Sequence, residues 1–178
     1  LKKSLFSEIE PSKMPFLVID TPEIKQWNYT ISKGATLVIP FQDPLNVGSA
    51  VRSAVSFGIK DIILLQSAAS PYHPKSVRAS SGAVFSVNFF EGPQYEEIAS
   101  VCDENSIPIV CLDKHGQNIR QFDFPESFLL LSGIEGQGIP EDLKKYSVSI
   151  PISENIESLN AYAALSIALY EYSSRPKS

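Results

Sequence analysis

Cysteine is scarce in this chain: two residues, Cys102 and Cys111, among 178, alongside a single Met, a single Trp and two His. Both thiols sit in apolar runs without C-x-x-C spacing, which fits buried side chains in a reducing cytoplasm and argues against a disulfide framework. His115 follows Cys111 closely, but no spacing supplies two further ligands, so neither a zinc site nor a Cys/His nucleophile pair is expected. No stretch approaches the roughly 18 consecutive apolar residues that a membrane span needs. The opening "LKKSLFSEIEP" has two lysines but lacks the apolar run and cleavage site of a signal peptide. The first residue is Leu1 rather than Met, and an upstream segment is expected.

What is present is the composition of a soluble globular domain, 43% hydrophobic and 20% charged, with room for one core. The formal net charge of −5 hides an asymmetry: residues 1–90 carry nine Lys/Arg against six Asp/Glu, and residues 91–178 carry six against fourteen. Whole-chain acidity excludes a general nucleic-acid coat, because non-specific affinity comes from neutralising phosphates. A local basic site on an acidic body remains, where "VGSAVRSA" and "HPKSVRASSGA" lie.

Short β-branched and leucine-rich runs predict strands at 36–40, 61–65, 84–90, 107–112, 128–132 and 148–152. Helical patterns fall near 46–57, 74–81, 94–105, 140–145 and 157–173. Continuously apolar strands alternating with helices indicate an α/β protein with a mainly parallel sheet covered on both faces. Residues 1–33, with Pro11, Pro15 and Pro22, read as an arm before a domain over 34–178. In the helix at 46–57, Asn46 is the expected N-cap, Gly58 the residue beyond the C-cap, and Val47, Ala50, Val51 and Ala54 the buried stripe. Arg52 takes the other side and leans toward the helix N-terminus. Gly48 and Ala50 allow close approach of another segment or a ligand. The last helix is apolar nearly all round, which predicts cover on several sides, a subunit interface included.

Three segments end predicted strands, where open α/β sheets place ligands: "PFQDPLNVGSAVRSA", "LLLSGIEGQGIP" and "VSIPISENIESLNAYAA". Singly, each has a structural explanation as a cap or a turn, and G-x-x-G-x-G is not the dinucleotide fingerprint, so a nucleotide-binding oxidoreductase ranks low. Read in order, they resemble the three signature motifs of the SpoU branch of the SPOUT superfamily of RNA methyltransferases, over about Thr36 to Tyr172. Asn46, Gly48 and Arg52 carry the first motif. Gly133, Glu135, Gly136 and Gly138 carry the second, and Ile150, Pro151, Glu157, Ser158, Leu159 and Asn160 the third. The chain departs from the third motif at Ile152, commonly Met, and at Asn155, commonly Gly; Asn tolerates the left-handed conformation that such a turn would need.

The resemblance implies an α/β fold of mainly parallel sheet flanked by helices, ending in a deep trefoil knot, and a homodimer formed through the C-terminal helix. It implies S-adenosyl-L-methionine as cofactor and methyl transfer to a ribose 2′-hydroxyl of tRNA or rRNA. Backbone groups near Gly133, Ile150 and Leu159 would hold the cofactor, with Ser132 beside them. Leu131, Ile134, Ile152 and Leu159 would form an apolar wall, and Gly133, Gly136 and Gly138 would permit close approach. Arg52 is the matching residue for the ribose and its phosphate, oriented by Asn46, Glu135, Ser158 and Asn160. Lys75 and Arg78 are candidate phosphate contacts. Two alternatives stand beside this one: a base-methylating enzyme of the superfamily, and a catalytically silent dimeric RNA-binding protein of the same fold.

Overall fold

Side-chain alternation explains why the run "FLLLS" is apolar throughout: Phe128 and Leu130 enter one core cluster, and Leu129 and Leu131 enter another on the opposite face of the sheet. Every long strand does the same, with Leu37 and Ile39 opposed to Val38, and Ile62 and Leu64 opposed to Ile63. The computed structural model describes residues 19–134, 138–153 and 155–175. Among these residues one sheet is formed by β1 (Lys25–Gln26), β2 (Gly34–Ile39), β3 (Asp61–Leu64), β4 (Asn88–Glu91), β5 (Ile109–Asn118), β6 (Ser127–Ser132) and β7 (Ser147–Ser149). The order is β1-β4-β3-β2-β6-β5-β7, and each neighbouring pair is parallel.

The helices are α1 (Pro44–Ser56), α2 (Pro74–Ala79), α3 (Ile98–Glu104) and α4 (Ala161–Ser173). Helices α1 and α4 cover the first face through Val47, Ala50, Val51 and Ala54 and through Leu165, Ala168 and Leu169. At about 1.5–3 kcal/mol for each fully buried large aliphatic side chain, the stripe on α1 is enough to fix it to the sheet. The second face is covered by Tyr95, Ile98, Ala99 and Cys102, and by Leu143 from the 3-10 turn Glu141–Tyr146. The end of α4 is pinned as well. Tyr172 packs edge-on against Phe124 and Phe128, and Arg175 lies over the Phe124 ring while donating to the carbonyls of Phe122 and Ile119.

Several boundaries differ from the sequence reading. Helix α1 starts at Pro44, because Asp43 is the N-cap, accepting from the Leu45 amide at 3.0 Å. Pro at the first helical position fits that start, so Asn46 is a first-turn residue rather than the cap. Gly58 does follow the C-cap, at φ +80. The strand expected at 84–90 begins at Asn88, since Ala83–Phe85 make a 3-10 turn after Gly82 at φ +82. The helix expected at 140–145 is 3-10, and α4 begins at Ala161 with Asn160 as cap, leaving Glu157, Ser158 and Leu159 in the preceding loop. Strand β7 stops at Ser149, two residues before Pro151, which has no N–H to continue the ladder. Within the expected arm, Lys25–Gln26 extend the sheet and Trp27 is buried.

Strand β7 has an unusual relation to β5. Val148 pairs with Leu112 and again with Gln117. The register between β5 and β7 breaks over residues 113–116. Gly116 presses on the strand, where a Cβ would stand 2.4 Å from the Ser147 carbonyl carbon, and the Ser149 hydroxyl donates to the Gly116 carbonyl at 2.8 Å.

Candidate active site

Parallel strands all point their C-terminal ends the same way, so the loops after β2, β6 and β7 emerge at one edge of the sheet. Strands β2 and β6 are direct neighbours, with Val38 opposite Leu131, and β7 lies two places further on. At about 4.8 Å per strand, β2 and β7 are separated by roughly 14 Å. The third loop then turns back across this gap: the buried Ser132 hydroxyl, at the end of β6, reaches the Ala161 carbonyl, at the start of α4, at 3.4 Å.

Helices α1 and α4 align the first and third segments. The hydroxyls of Ser53 and Ser166 are 2.7 Å apart, and the rings of Phe57 and Tyr170 meet edge-on at 6.4 Å. Both pairs have the same sequence offset of 113, so the helices run side by side in the same direction. The same offset sets Val47 level with Asn160 and Arg52 level with Leu165. Arg52 is thus about 7.5 Å along the axis from the cap of α4, a span that an arginine leaning toward its helix N-terminus can cross. It is exposed, and among the described residues no carboxylate forms an ion pair with it. Asn46 is half-buried in the first turn of α1.

Gly48 contacts protein rather than an open site: a Cβ there would stand 2.4 Å from the Ser76 carbonyl oxygen of α2. Helix α2 therefore packs directly on α1 and leaves Lys75 and Arg78 exposed. His73 caps it, accepting from the Lys75 amide at 3.2 Å.

The glycine segment after β6 closes on itself. The Ile134 amide donates to the Gly138 carbonyl at 3.1 Å, and the Gly138 amide to the Ile134 carbonyl at 2.9 Å. Gly138 has φ +71, a conformation that L side chains rarely adopt. Gly133 packs so tightly on it that a Cβ would lie 2.9 Å from the Gly138 carbonyl carbon. Glu135 and Gly136 lie outside the described residues. In the third segment Ser153 organises the turn, its carbonyl accepting from Ile156 at 3.2 Å and its hydroxyl from Asn155 at 3.4 Å. Asn160 caps α4, accepting from the Tyr162 amide at 3.0 Å, while Ser158 stays exposed and Leu159 half-buried.

Two residues at this edge escaped the sequence reading. Lys114 pairs with Glu157 at 3.6 Å, and Tyr95 reaches the Gly138 carbonyl from the second face at 2.8 Å. Neither belongs to a motif, and only the three-dimensional path brings them to the loops. A cleft of about 570 Å³ lies elsewhere, against Cys102, Asp103, His115, Lys144 and Tyr146, and none of the expected site residues lines it. There the Tyr146 hydroxyl, and then Lys145, hold Asp103 below its usual carboxylate range.

A parallel sheet with helices on both faces and three signature loops at one edge defines the class as the SPOUT methyltransferase fold. The family model for the SpoU rRNA Methylase family matches residues 36–170, and the chain belongs to that family. It is 41% identical over 164 residues to a protein of Syntrophobacter fumaroxidans named ribosomal RNA small subunit methyltransferase G 2, covering 91% of this chain and 32% of that protein. It is 38% identical over 137 residues to the 23S rRNA (uridine(2479)-2′-O)-methyltransferase of Streptomyces viridochromogenes, covering 72% and 48%. The crystal structure of the SpoU methyltransferase AviRb from the same organism, in complex with the cofactor AdoMet, superposes with a TM-score of 0.69 at 33% identity. That match covers 81% of this chain and 60% of that one. The chain thus spans a third to a half of the length of the two curated relatives.

Proposed function

We propose that this chain is the catalytic domain of an S-adenosylmethionine-dependent RNA methyltransferase that modifies a ribose 2′-hydroxyl, with ribosomal RNA as the substrate. The observation that carries this reading is the shared edge: the loops after β2, β6 and β7 meet where α1 and α4 run level, with Arg52 facing outward below the cap of α4. Two relatives whose names state 2′-O methylation of 23S rRNA, at 38% and 35% identity, support it.

The residues present fit the cofactor. Ile152 and Ile156, exposed at 38% and 58% in the loop after β7, and Ile134, half-buried in the loop after β6, supply an apolar shelf at the edge where strand-end N–H and C=O groups lie. Such a shelf accepts a heteroaromatic ring, and main-chain groups near Gly133, Ile150 and Leu159 can read its polar edge. When bound, S-adenosylmethionine supplies an electrophilic methyl group on a sulfonium that leaves neutral and needs no acid. The protein's task is therefore at the nucleophile, since a ribose hydroxyl must be held in line and lose its proton. The guanidinium of Arg52, a planar fork of donors, holds the adjacent phosphate and stabilises developing negative charge on the ribose oxygen as the hydroxyl proton passes to water. Asn46, Ser158 and Asn160 orient the sugar, with Glu135 assigned to the same task by its motif. Lys75 and Arg78 extend the phosphate contact along α2.

The domain comprises residues 34–178, with Lys25–Gln26 before it paired along the β4 edge. The double pairing of Val148 supports the threaded topology of the family. Tyr162, Ile167 and Tyr170 leave an apolar face of α4 exposed, which supports a homodimer through that helix. Among the described residues no helix is long and apolar enough to cross a membrane, and the cytoplasm is the compartment this reading assigns. Incubation with methyl-labelled S-adenosylmethionine and ribosomal RNA, followed by nucleoside mass spectrometry, is expected to yield a 2′-O-methylnucleoside. A base-methylated product, or no transfer to any RNA, would refute the proposal.

A further inference from the structure

We infer that Tyr95 is a positioning residue for the cofactor site, its hydroxyl clasping the neck of the glycine loop that follows β6. This rests on the reading of that loop as part of an S-adenosylmethionine site. Tyr95 opens the 3-10 turn Tyr95–Glu97 on the second face of the sheet and is 6% exposed. Its hydroxyl donates to the Gly138 carbonyl at 2.8 Å, the same oxygen that accepts from the Ile134 amide at 3.1 Å. Ile134 and Gly138 are the two residues through which the loop closes. One phenol therefore bonds to the carbonyl on which the loop closes, tying the loop to an element that carries none of the signature residues. Burial, the larger effect, pushes the phenol pKa up, so the group stays a neutral donor.

The anchor is itself held. The Glu97 carboxylate accepts from the Gln94 amide at 3.1 Å, completing a capping box, and Gln66 donates to Pro93 at 3.2 Å just before it. Removing the hydroxyl leaves the ring packed and leaves Gly138 paired with Ile134, so the loop still closes but loses its second restraint. A loop that samples more arrangements binds its ligand more weakly, because ordering is then added to the cost of binding.

The test is Tyr95→Phe in the full chain, read by amide hydrogen exchange at Ile134 and Gly138 without cofactor, by calorimetric titration with S-adenosylmethionine, and by turnover at saturating cofactor. Loss of one buried hydrogen bond is expected to speed exchange at the two amides, and to weaken cofactor binding, by about fivefold each, with turnover within about twofold of the parent. Unchanged exchange overturns the clasp whatever the cofactor does. Unchanged affinity, or a fall in turnover at unchanged affinity, overturns the positioning role. If the parent chain fails to bind S-adenosylmethionine, the reading of the site falls and takes that role with it, while faster exchange in Tyr95→Phe would still establish the clasp.

Discussion

The two faces of the sheet are built from the same strands and do different work. On the first, α1 and α4 bury alternate apolar residues of β2, β3 and β6 and carry the exposed Arg52 and the cap Asn160. On the second, α3 and two 3-10 turns bury the other half of each strand together with both thiols, Trp27 and Tyr95. Nearly every signature side chain belongs to the first face or to the loops. The second face supplies restraints. Evenly apolar strands make this division available: with no strand face spent on solvent, each layer can be specialised.

The sharpest way to break the comparison is Arg52→Ala. The side chain is exposed and lies outside the core, so the melting temperature should hold while methyl transfer falls by about 100-fold or more, with cofactor affinity unchanged. Arg52→Lys should fall nearly as far, since an ammonium cannot reproduce the planar fork. Transfer near the parental rate in either variant would remove chemistry from the first face.

Gly48→Ala tests the packing beneath Arg52. Alanine is the better helix former by about 1 kcal/mol, but its Cβ would stand 2.4 Å from a backbone oxygen of α2, which cannot rotate away. Overpacking should win, with a net loss of about 2 kcal/mol in denaturant unfolding.

The second face should reveal itself in alkali. Burial, and then the neighbouring Asp103, push the Cys102 thiol from 9.0 up to about 12. The folded chain therefore keeps a proton that the unfolded chain loses. Stability from this group is complete below pH 9 and declines as the pH rises toward 12, by up to about 1.4 kcal/mol per pH unit. Urea midpoints measured between pH 8 and 10.5 should fall less steeply in Cys102→Ala, whose activity at pH 7 should match the parent. The smallest effect is expected for Ser53→Ala. Ser166 also donates to the Tyr162 carbonyl at 2.8 Å, so the loss should be about 0.5 kcal/mol by thermal unfolding.

The strands of the sheet's interior were legible in the sequence because their apolar runs are uninterrupted, and β2, β3 and β6 fall within two residues of expectation at each end. The start of α1 was misread because Asp43 and Asn46 are both good capping residues. Pro44 decides between them, since it fits the first helical position and the cap precedes it. The site was legible as three ordered motifs, but the level pairing of α1 with α4 was not, because Ser53 and Ser166 are ordinary residues whose meeting depends on the whole fold. Tyr95 was invisible for a different reason. Its partner is a backbone carbonyl, and a main-chain acceptor leaves no trace in residue identity.

The broken register between β5 and β7 bears on how the molecule comes to exist. Val148 pairs with two residues of β5 that lie five positions apart, so it settles only once both Leu112 and Gln117 are held. The hurdle is one of time rather than of final energy. In the proposed threaded topology, a bulky partner fused behind Ser178 should lengthen the journey to the native state and leave its eventual unfolding midpoint where it was.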